Sequence, residues 1–269
     1  MKHNKKTIKT VCRLILAAII IAPILTAIAF SVAVVSADDY VAFDKEKISE
    51  ACQNAQIFDN DGNLIKDADN YARLKDLPKY VSDAFVSTED KRFYSHNGVD
   101  FKRVASAAIK NVLSGSLREG ASTITQQLVK NLFLSNKKTF KRKVNEVFLA
   151  LRTEKEFSKN KILEAYLNTV YFGQGAYGIS SAAKKYFNTD ADKLTLKQAA
   201  GLAGILKAPN TYSPLVNLKK FETRQSTVLN LMLKNGFITE SQFNAAEKEV
   251  NFLKTNRFNP ILQDYAAQA

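Results

Sequence analysis

The chain has no tryptophan, and only two cysteines and two histidines occur among its 269 residues. Zinc sites are built from several His and Cys ligands, and neither His3 nor His96 has a cysteine cluster nearby. The composition therefore argues against a zinc centre. Cys12 and Cys52 lie on either side of a long apolar segment. We expect them to be on opposite sides of a membrane, with no disulfide between them.

What the chain does have is apolar residues and positive charge. Hydrophobic residues make up 46% of the sequence and phenylalanine occurs 17 times, which indicates a packed core rather than a disordered protein. The formal net charge of +13 predicts an anionic partner. Nucleic acid, a membrane surface and a phosphorylated substrate all satisfy that condition. The length leaves room for one sizeable domain with appendages.

The apolar segment covers residues 14–36 and contains no charged side chain. It is long enough to span a bilayer, which needs roughly 20 residues. Lysine and arginine precede it and Asp38 and Asp39 follow it, so the positive-inside rule places residues 1–13 in the cytoplasm and the rest outside. A cleaved signal peptide ending at Val35-Ser36-Ala37 is the alternative. We favour an anchor because the apolar run exceeds the usual ~7–15 residues of a signal peptide.

The rest of the chain divides into a short polar part and a long helical part. Residues 37–75 are polar and mixed, and we expect an extracellular linker there, with a small hairpin at Asn60-Asp61-Gly62-Asn63. Residues 76–250 have helical periodicity, and residues 251–269 are expected to be a C-terminal tail. The predicted fold class is mainly α, with one domain outside a membrane, so nucleic acid is not an expected partner. Helices are predicted over residues 101–113, 123–134, 140–157, 159–170, 180–187, 195–206, 219–235 and 239–250.

A polar stripe follows one face of the predicted helix 123–134. Thr123, Gln126, Gln127 and Lys130 recur at the spacing of a single helix face. Hydroxyl, amide and ammonium groups are suited to binding a neutral polyol beside a phosphate. A solvated helix face in a basic protein is normally rich in Lys and Glu instead. We therefore predict that the stripe binds substrate, the alternative being a polar face without a function.

Glu89 is the first candidate catalytic carboxylate. It follows a helical run in which Phe85 and Val86 lie four and three residues earlier, so its side chain is expected to leave an apolar face. A glutamate that is partly removed from water suits a general base or acid. The alternative is a solvated surface glutamate, because the segment Glu89-Asp90-Lys91-Arg92 is rich in charge.

Glu146 is the second candidate carboxylate. It lies one turn after Arg142 and three residues after Lys143 in the predicted helix 140–157, on a different face from the apolar residues. The simplest interpretation is an ordinary surface ion pair, worth about 0.2–0.5 kcal/mol. The functional interpretation is a group of cationic side chains that binds a phosphate. The carboxylate beside them is either tuned by these charges or binds a metal ion.

Together these segments resemble the peptidoglycan glycosyltransferases, which are the monofunctional transglycosylases and the first catalytic domain of class A penicillin-binding proteins. The resemblance covers residues 77–232 approximately and rests on several motifs that occur in order. The motifs are Glu89-Asp90-x-x-Phe93-x-x-His96-x-Gly98, Gly120-Ala121-Ser122-Thr123-Ile124-Thr125-Gln126-Gln127-Leu128-x-Lys130-Asn131, Arg142-Lys143-x-x-Glu146, Ile162-Leu163-Glu164-x-Tyr166-Leu167-Asn168, Tyr171-Phe172-Gly173-x-Gly175-x-Tyr177-Gly178 and Lys207-Ala208-Pro209-Asn210-x-Tyr212-x-Pro214.

The resemblance implies a lysozyme-like fold and the polymerisation of lipid II by inverting glycosyl transfer, with release of undecaprenyl pyrophosphate. It implies that Glu89 takes the proton from the attacking hydroxyl and that Glu146 lies near the leaving pyrophosphate. No cofactor is obligatory, although a divalent cation, Mg²⁺ or Mn²⁺, held by Glu146 is left open. The remaining implied roles are pyrophosphate binding by Lys130, Arg142 and Lys143, and binding of sugar or phosphate oxygens by Thr123, Gln126, Gln127 and Asn168.

Two polar residues inside these motifs are expected to have structural roles. His96 is expected to tie a loop by hydrogen bonds rather than to act as a base. Glu164, on the predicted helix 159–170, is expected to be an ion-pair partner rather than a third catalytic acid.

The implied partners are lipid II, the lipid-linked glycan chain and the bacterial membrane, with further cell-wall synthesis proteins left open. We expect a single-pass protein of the bacterial cell membrane whose catalytic domain lies outside the cytoplasm. No transpeptidase motif follows the domain, so a monofunctional enzyme is favoured and a fragment of a class A penicillin-binding protein is the alternative. A lytic lysozyme-like hydrolase and an inactive membrane scaffold are less favoured.

Overall fold

The computed structural model describes residues 41–51, 57–58, 64–66, 71–114, 121–135, 137 and 139–250. The predicted cytoplasmic tail, the anchor at residues 14–36, both cysteines and the predicted tail at 251–269 lie outside the described residues. Among the residues that are described, no helix has the length and apolar character needed to cross a bilayer.

The described chain is mainly helical, as predicted. Two short strands, β1 (Ile57–Phe58) and β2 (Leu64–Lys66), pair antiparallel on either side of the predicted turn. Short 3₁₀ turns lie at Leu74–Asp76, Phe93–Ser95 and Ala191–Lys193. The helices are α1 (Lys45–Ala51), α2 (Lys79–Glu89), α3 (Phe101–Ser114), α4 (Ile124–Phe133), α5 (Phe140–Glu156), α6 (Lys159–Thr169), α7 (Ile179–Phe187), α8 (Leu196–Ile205), α9 (Pro209–Tyr212), α10 (Leu218–Lys234) and α11 (Glu240–Lys248).

Three of the helices begin with the same local device, a threonine followed three residues later by a glutamine. Thr123, Thr195 and Thr239 each accept a hydrogen bond from the backbone of the glutamine, whose side chain accepts one from the threonine backbone. This reciprocal cap satisfies two amide groups that have no partner within the first turn. The T-x-x-Q spacing therefore explains why the predicted starts agree with the observed ones to within one residue.

Helix α8 lies at the centre of one part of the core. Almost all of its residues are buried, and it packs against α2 and α10. Gly201 lets α10 approach closely, since a Cβ added there would lie 2.5 Å from the ring of Phe221. Helix α2 also contacts α10. The end of α2 at Glu89 is therefore held by two buried neighbours.

Helix α4 organises the other part of the core. Its buried apolar side chains include Ile124, Leu128 and Leu132, and it packs against both α5 and α6. Since α5 carries Glu146 and α4 begins close to the end of α2, this packing brings the two parts of the predicted site together.

Residues 41–51 pack onto the domain, although the sequence suggests a linker there. Ile48 and Ala51 of α1 are fully buried, and α1 contacts α6. The backbone N–H of Val41 donates to Oδ1 of Asn145 on α5 at 3.4 Å. The start of the described chain is therefore fixed beside the helix that carries Glu146.

The turn before α7 depends on Gly178. This residue has φ +78°, and a Cβ added to it would lie 2.6 Å from the backbone oxygen of Asn168. Its amide donates to the carbonyl of Val170 at 3.0 Å. The turn can therefore fold back on the end of α6 only without a side chain at this position.

Gly178→Ala is expected to destabilise the protein by about 2–4 kcal/mol, because the added methyl group meets a backbone oxygen in a conformation that L residues rarely adopt. Gly175→Ala is the matched control, since Gly175 also has a positive φ of 74° but nothing lies within 4 Å of its added Cβ. The control should cost only about 1–2 kcal/mol. Urea unfolding measures both values, and equal losses would contradict the steric explanation.

Candidate active site

Glu89 is the last residue of α2, and its side chain is partly exposed. Phe85 and Val86, one turn earlier, are buried in the core, so the carboxylate leaves an apolar face as predicted. Nε2 of Gln127 on α4 donates to Oε2 of Glu89 at 2.8 Å. No other hydrogen bond to this carboxylate is found among the described residues, which leaves its second oxygen available to a substrate hydroxyl.

The loop that follows Glu89 is tied to the start of α4 by Asp90. The Asp90 side chain is fully buried and accepts from the backbone N–H of Ile124 at 3.1 Å. Nε2 of His96 lies 2.9 Å from the same carboxylate. His96 therefore ties the loop, as expected from the sequence. A carboxylate at the first turn of a helix also interacts favourably with the helix dipole.

The same loop is held from its other side by polar groups of α4, α5 and α6. Oγ1 of Thr123 donates to the carbonyl of Gly98 at 2.6 Å. Glu154 pairs with Lys159 at 2.7 Å, and the Lys159 ammonium lies 4.4 Å from the centre of the buried ring of Phe93. The segment between Glu89 and α3 is thus clamped by three helices, which limits the movement of the candidate base.

The predicted stripe on α4 divides into two pairs with different surroundings. Thr123 and Gln126 are buried, and their side chains form the reciprocal cap that begins the helix. The hydroxyl of Thr123 and Oε1 of Gln126 are occupied by bonds within the protein, and the substrate-binding role of the two residues stays a prediction. Gln127 and Lys130 are partly exposed and face the two carboxylates, so only this half of the stripe is retained as a binding surface.

The side chain of Asn168 makes hydrogen bonds within the protein. Its side chain is buried, and its Oδ1 accepts from the backbone N–H of Ala72 at 2.9 Å. Its Nδ2 donates to the carbonyl oxygens of Ala72 and Glu164, both at 2.8 Å. The amide therefore joins α6 to the segment before α2, and no polar atom is left for a substrate.

Glu164 has the structural role expected from the sequence. Its carboxylate pairs with Lys161 at 2.9 Å and accepts from the backbone N–H of Leu74 at 2.8 Å and from the hydroxyl of Tyr71. Burial raises the pKa of Glu164, but these hydrogen bonds outweigh that effect and hold the pKa below its usual value. The residue is therefore an anchor for the segment before α2.

One residue near Glu89 was not found by reading the sequence. Nη1 of Arg103, on α3, donates to the backbone carbonyl of Glu89. Such a bond satisfies a carbonyl at the end of a helix, where a positive charge is favourable. Nothing in the residue spacing indicated this contact, because it depends on how the loop turns α3 back toward α2.

Glu146 lies at the centre of a cationic cluster, which we define as Lys130, Arg142, Lys143 and Glu146. Its side chain is only 3% exposed, and one oxygen pairs with Nη1 of Arg142 at 3.0 Å while the other pairs with Lys143. Nζ of Lys143 also donates to Oγ of Ser122 at 3.0 Å. The pairing is thus a buried arrangement rather than the ordinary surface ion pair that the sequence also allowed.

Lys130 connects the cationic cluster to Glu89. Burial lowers the pKa of Lys130, Glu146 and Glu89 act in the opposite direction, and the positive charges of Arg142 and Lys143 lower it further. All four charged neighbours therefore act on this one ammonium group. Arg142 and Lys143 already pair with the carboxylate of Glu146, and Lys130 adds a further positive charge. The excess of positive charge favours an anionic ligand.

The divalent cation left open for Glu146 does not fit the residues present as a resident ion. Both oxygens of Glu146 already pair with cationic side chains, and a metal would have to displace them. Within the described ranges no group of three or more His, Cys, Asp or Glu side chains is placed to hold a metal ion. Further ligands would have to be substrate phosphate oxygens.

A cavity of about 430 Å³ lies elsewhere on the domain. It is bordered by Arg73 and Asp76 on one side and by Lys184 and Asp190, which pair at 2.5 Å, on the other. None of the predicted site residues lines it, so we do not associate it with the predicted chemistry.

Residues 43–233 match the family model described as transglycosylase. The chain belongs to the transglycosylase family. The match covers the helices that carry Glu89, the retained half of the stripe and the cationic cluster. The described domain is therefore a transglycosylase domain.

Curated transglycosylase relatives include penicillin-binding protein 1A of Neisseria flavescens, which is 48% identical over 197 residues, 72% of this chain and 25% of the relative. Penicillin-binding protein 1A/1B of Bacillus subtilis is 44% identical over 227 residues, 82% of this chain and 24% of the relative. The chain thus spans about a quarter of the length of these relatives. A crystal structure of penicillin-binding protein 1A from Haemophilus influenzae is 26% identical, with a TM-score of 0.43, over 79% of this chain and 23% of that one.

Thr123→Val is expected to lower the free energy of unfolding by about 1–2 kcal/mol, because it removes the cap of α4 and the bond to Gly98. The KM for substrate should stay within about twofold of the wild-type value, since the side chain is not a binding group. Thr123→Ser keeps the hydroxyl and is the matched control. A raised KM at unchanged stability would restore the predicted binding role.

Proposed function

We propose that this chain is a peptidoglycan glycosyltransferase that polymerises lipid II into glycan strands. Membership of the transglycosylase family supports the reaction class. The observation that carries the proposal is the arrangement around α4, where Gln127 is hydrogen-bonded to Glu89 and the ammonium of Lys130, one turn later, is close enough to both Glu89 and Glu146 for their charges to raise its pKa. A candidate base and a cluster of excess positive charge thus share one site.

The reaction is an inverting displacement. Glu89 takes the proton from the 4-hydroxyl of the incoming lipid II as that oxygen bonds to the anomeric carbon of the growing chain. The bond from the anomeric carbon to the pyrophosphate breaks, and its electrons leave with undecaprenyl pyrophosphate. Lys130, Arg142 and Lys143 stabilise the charge that develops on this leaving group, which is the step where electrostatic stabilisation is worth most.

Gln127 and Glu146 support this reaction without reacting themselves. Gln127 holds one oxygen of Glu89, so that the other points at the acceptor hydroxyl. Glu146 holds Arg142 and Lys143 beside one another before the pyrophosphate arrives. Holding charged groups in place in this way reduces the reorganisation that the reaction requires.

We further propose that the domain acts at the outer face of the bacterial membrane, with residues 14–36 as its anchor and the N-terminus in the cytoplasm. A lipid-linked substrate requires an enzyme at the bilayer. Phe140 is 69% exposed and is the first residue of α5, directly before Lys141, Arg142 and Lys143, while Phe101 on α3 is 72% exposed. Exposed aromatic side chains beside basic residues suit contact with a lipid surface.

The second candidate is the glycosyltransferase part of a bifunctional class A penicillin-binding protein. It is favoured by the relatives, which are named penicillin-binding protein 1A and 1A/1B and are about four times as long as the matched region. The reaction at Glu89 would be the same in either case. A lytic hydrolase is less favoured, because cleavage of a glycan by water has no use for the cationic cluster.

Glu89→Gln is expected to reduce lipid II polymerisation at least about 100-fold, because the amide cannot accept the proton of the acceptor hydroxyl. Binding of lipid II should stay within about threefold, since the shape of the site is unchanged. Gel analysis of the glycan products measures the rate, and fluorescence titration measures binding.

Glu222→Gln is the matched control, since Glu222 is an exposed carboxylate on α10. Retained polymerisation in Glu89→Gln would reject the assignment of the base. Cleavage of preformed glycan by the wild-type protein, without growth of new chains, would favour the hydrolase. Failure of the folded wild-type protein to do either would favour the scaffold.

Lys130→Met is expected to raise the melting temperature of the protein measured without substrate. Burial is the main cause of the lowered pKa of Lys130, so the charged ammonium destabilises the folded state and its removal should stabilise it. The same change should weaken inhibition by inorganic pyrophosphate about tenfold or more, because a charge-assisted contact is lost. Thermal unfolding and inhibition of polymerisation measure the two effects.

Lys155→Met is the control for this prediction, since Lys155 is exposed at the end of α5 and belongs to no part of the site. Lys155→Met should change neither the melting temperature nor the inhibition by inorganic pyrophosphate. If Lys130→Met lowered the melting temperature and left inhibition unchanged, Lys130 would be a structural residue and not part of the pyrophosphate site.

A further inference from the structure

Tyr166 is a buried residue of α6 that has no role in the reaction described above. Its ring is fully buried, and its hydroxyl lies 3.3 Å from Oε1 of Gln127. The structure describes no other hydrogen bond of this hydroxyl. Gln127 in turn donates from Nε2 to Glu89 at 2.8 Å. The three side chains therefore form one hydrogen-bonded series that ends at the candidate base.

The direction of this series is fixed by chemistry. Burial raises the pKa of the Tyr166 hydroxyl well above its usual value, and the negative charges of Glu89 and Asp90 raise it further. The phenol thus keeps its proton and is the donor to Gln127. An ionised Glu89 can only accept. Gln127 must therefore turn its oxygen to Tyr166 and its NH₂ group to Glu89.

We infer that Tyr166 is a positioning residue for glycosyl transfer, which fixes the orientation of the Gln127 amide and through it the Glu89 carboxylate. The inference rests on the proposed function, since it concerns the same base. Without the hydroxyl, the amide oxygen loses its hydrogen-bond donor, and the Gln127 side chain is held only by its bond to Glu89. An amide held at one end can move with the carboxylate instead of keeping it in place, so the position of Glu89 is less well defined.

Gln127 is hydrogen-bonded to only one of the two carboxylate oxygens of Glu89, which explains why the orientation of the Gln127 amide matters. Donation from Gln127 to Oε2 leaves the second oxygen for the acceptor hydroxyl. It also favours the ionised form of the carboxylate, which is the form that accepts a proton. Loss of the correct amide orientation should therefore affect the chemical step and its pH dependence more than it affects substrate binding.

Tyr166→Phe is expected to lower kcat for lipid II polymerisation about tenfold, with KM within about twofold. The acid limb of the pH profile of kcat should move to higher pH, because the carboxylate loses a donor that favours its ionised form. Tyr186→Phe is the matched control, since Tyr186 is equally buried but donates to the carbonyl of Phe172 at 2.9 Å. It should leave the pH profile unchanged.

A double-mutant cycle with Gln127→Ala separates positioning from packing. If Tyr166 acts through Gln127, Tyr166→Phe should cause no further loss of kcat in the Gln127→Ala background. If the hydroxyl matters only for the stability of the core, the two losses should multiply. Circular dichroism and thermal unfolding check that each variant is folded.

A readout without turnover keeps this inference separate from the proposed function. The side-chain amide signals of Gln127, assigned by their loss in Gln127→Ala, should follow the ionisation of Glu89 in an NMR pH titration. Their midpoint should rise in Tyr166→Phe and not in Tyr186→Phe. A wild-type protein that shows this shift but does not polymerise lipid II would overturn the function and not the positioning role.

Three results would overturn the inference. They are an unchanged NMR midpoint in Tyr166→Phe, losses of kcat that multiply in the double variant, and a pH profile that moves equally in Tyr186→Phe. Each would show that the hydroxyl of Tyr166 does not set the orientation of Gln127.

Discussion

The hydrogen bond from the first turn of α4 to the buried carboxylate of Asp90 is the constraint on which the rest of the site depends. Asp90 follows Glu89 directly in the chain, so fixing one to the start of α4 places the other beside the same helix. Gln127 then lies about one turn along α4 and Lys130 about one turn further. A single helix thus sets the order of base, orienting amide and ammonium, and the clamp on the loop keeps that order rigid.

A second constraint is electrostatic and acts against stability. Buried ionic groups are costly unless they are well paired, and Glu146 is paired on both of its oxygens. Lys130 is desolvated and adds positive charge to a cluster whose carboxylate is already occupied. Burial disfavours the charged form of Lys130, and repulsion from Arg142 and Lys143 adds to that effect, so an anion bound beside Lys130 would favour its charged form. Such repulsion is retained where binding requires it, which is common at functional sites.

Reading the sequence predicted most of the helices after residue 100 well, because apolar periodicity is a local signal that tertiary packing did not override. It missed α1, which lies within the predicted linker. It also predicted that Glu89 leaves an apolar face and that Arg142, Lys143 and Glu146 lie together, because these features depend on the spacing within a single helix. It could not divide the stripe on α4, because spacing shows which side chains share a face but not whether a first-turn side chain turns back onto its own backbone. The same limit applied to Asn168, whose partner Ala72 is 96 residues away in the chain, and to Tyr166, whose role depends on α4 packing against α6.

The docking of Val41 against Asn145 has a consequence for the height of the site above the lipid. Asn145 precedes Glu146, so the first described residue of the chain is fixed beside the cationic cluster. Should the predicted anchor end at residue 36, five steps of chain connect it to Val41, and they reach at most about 18 Å. The tether would then hold Val41 within a distance of the membrane surface that is roughly twice the Debye length at physiological salt. Solvent ions largely screen charges that are separated by the full reach of the tether, so the attraction between a pyrophosphate group at the bilayer surface and its binding cations becomes strong only when the domain lies closer to the lipid than the tether requires.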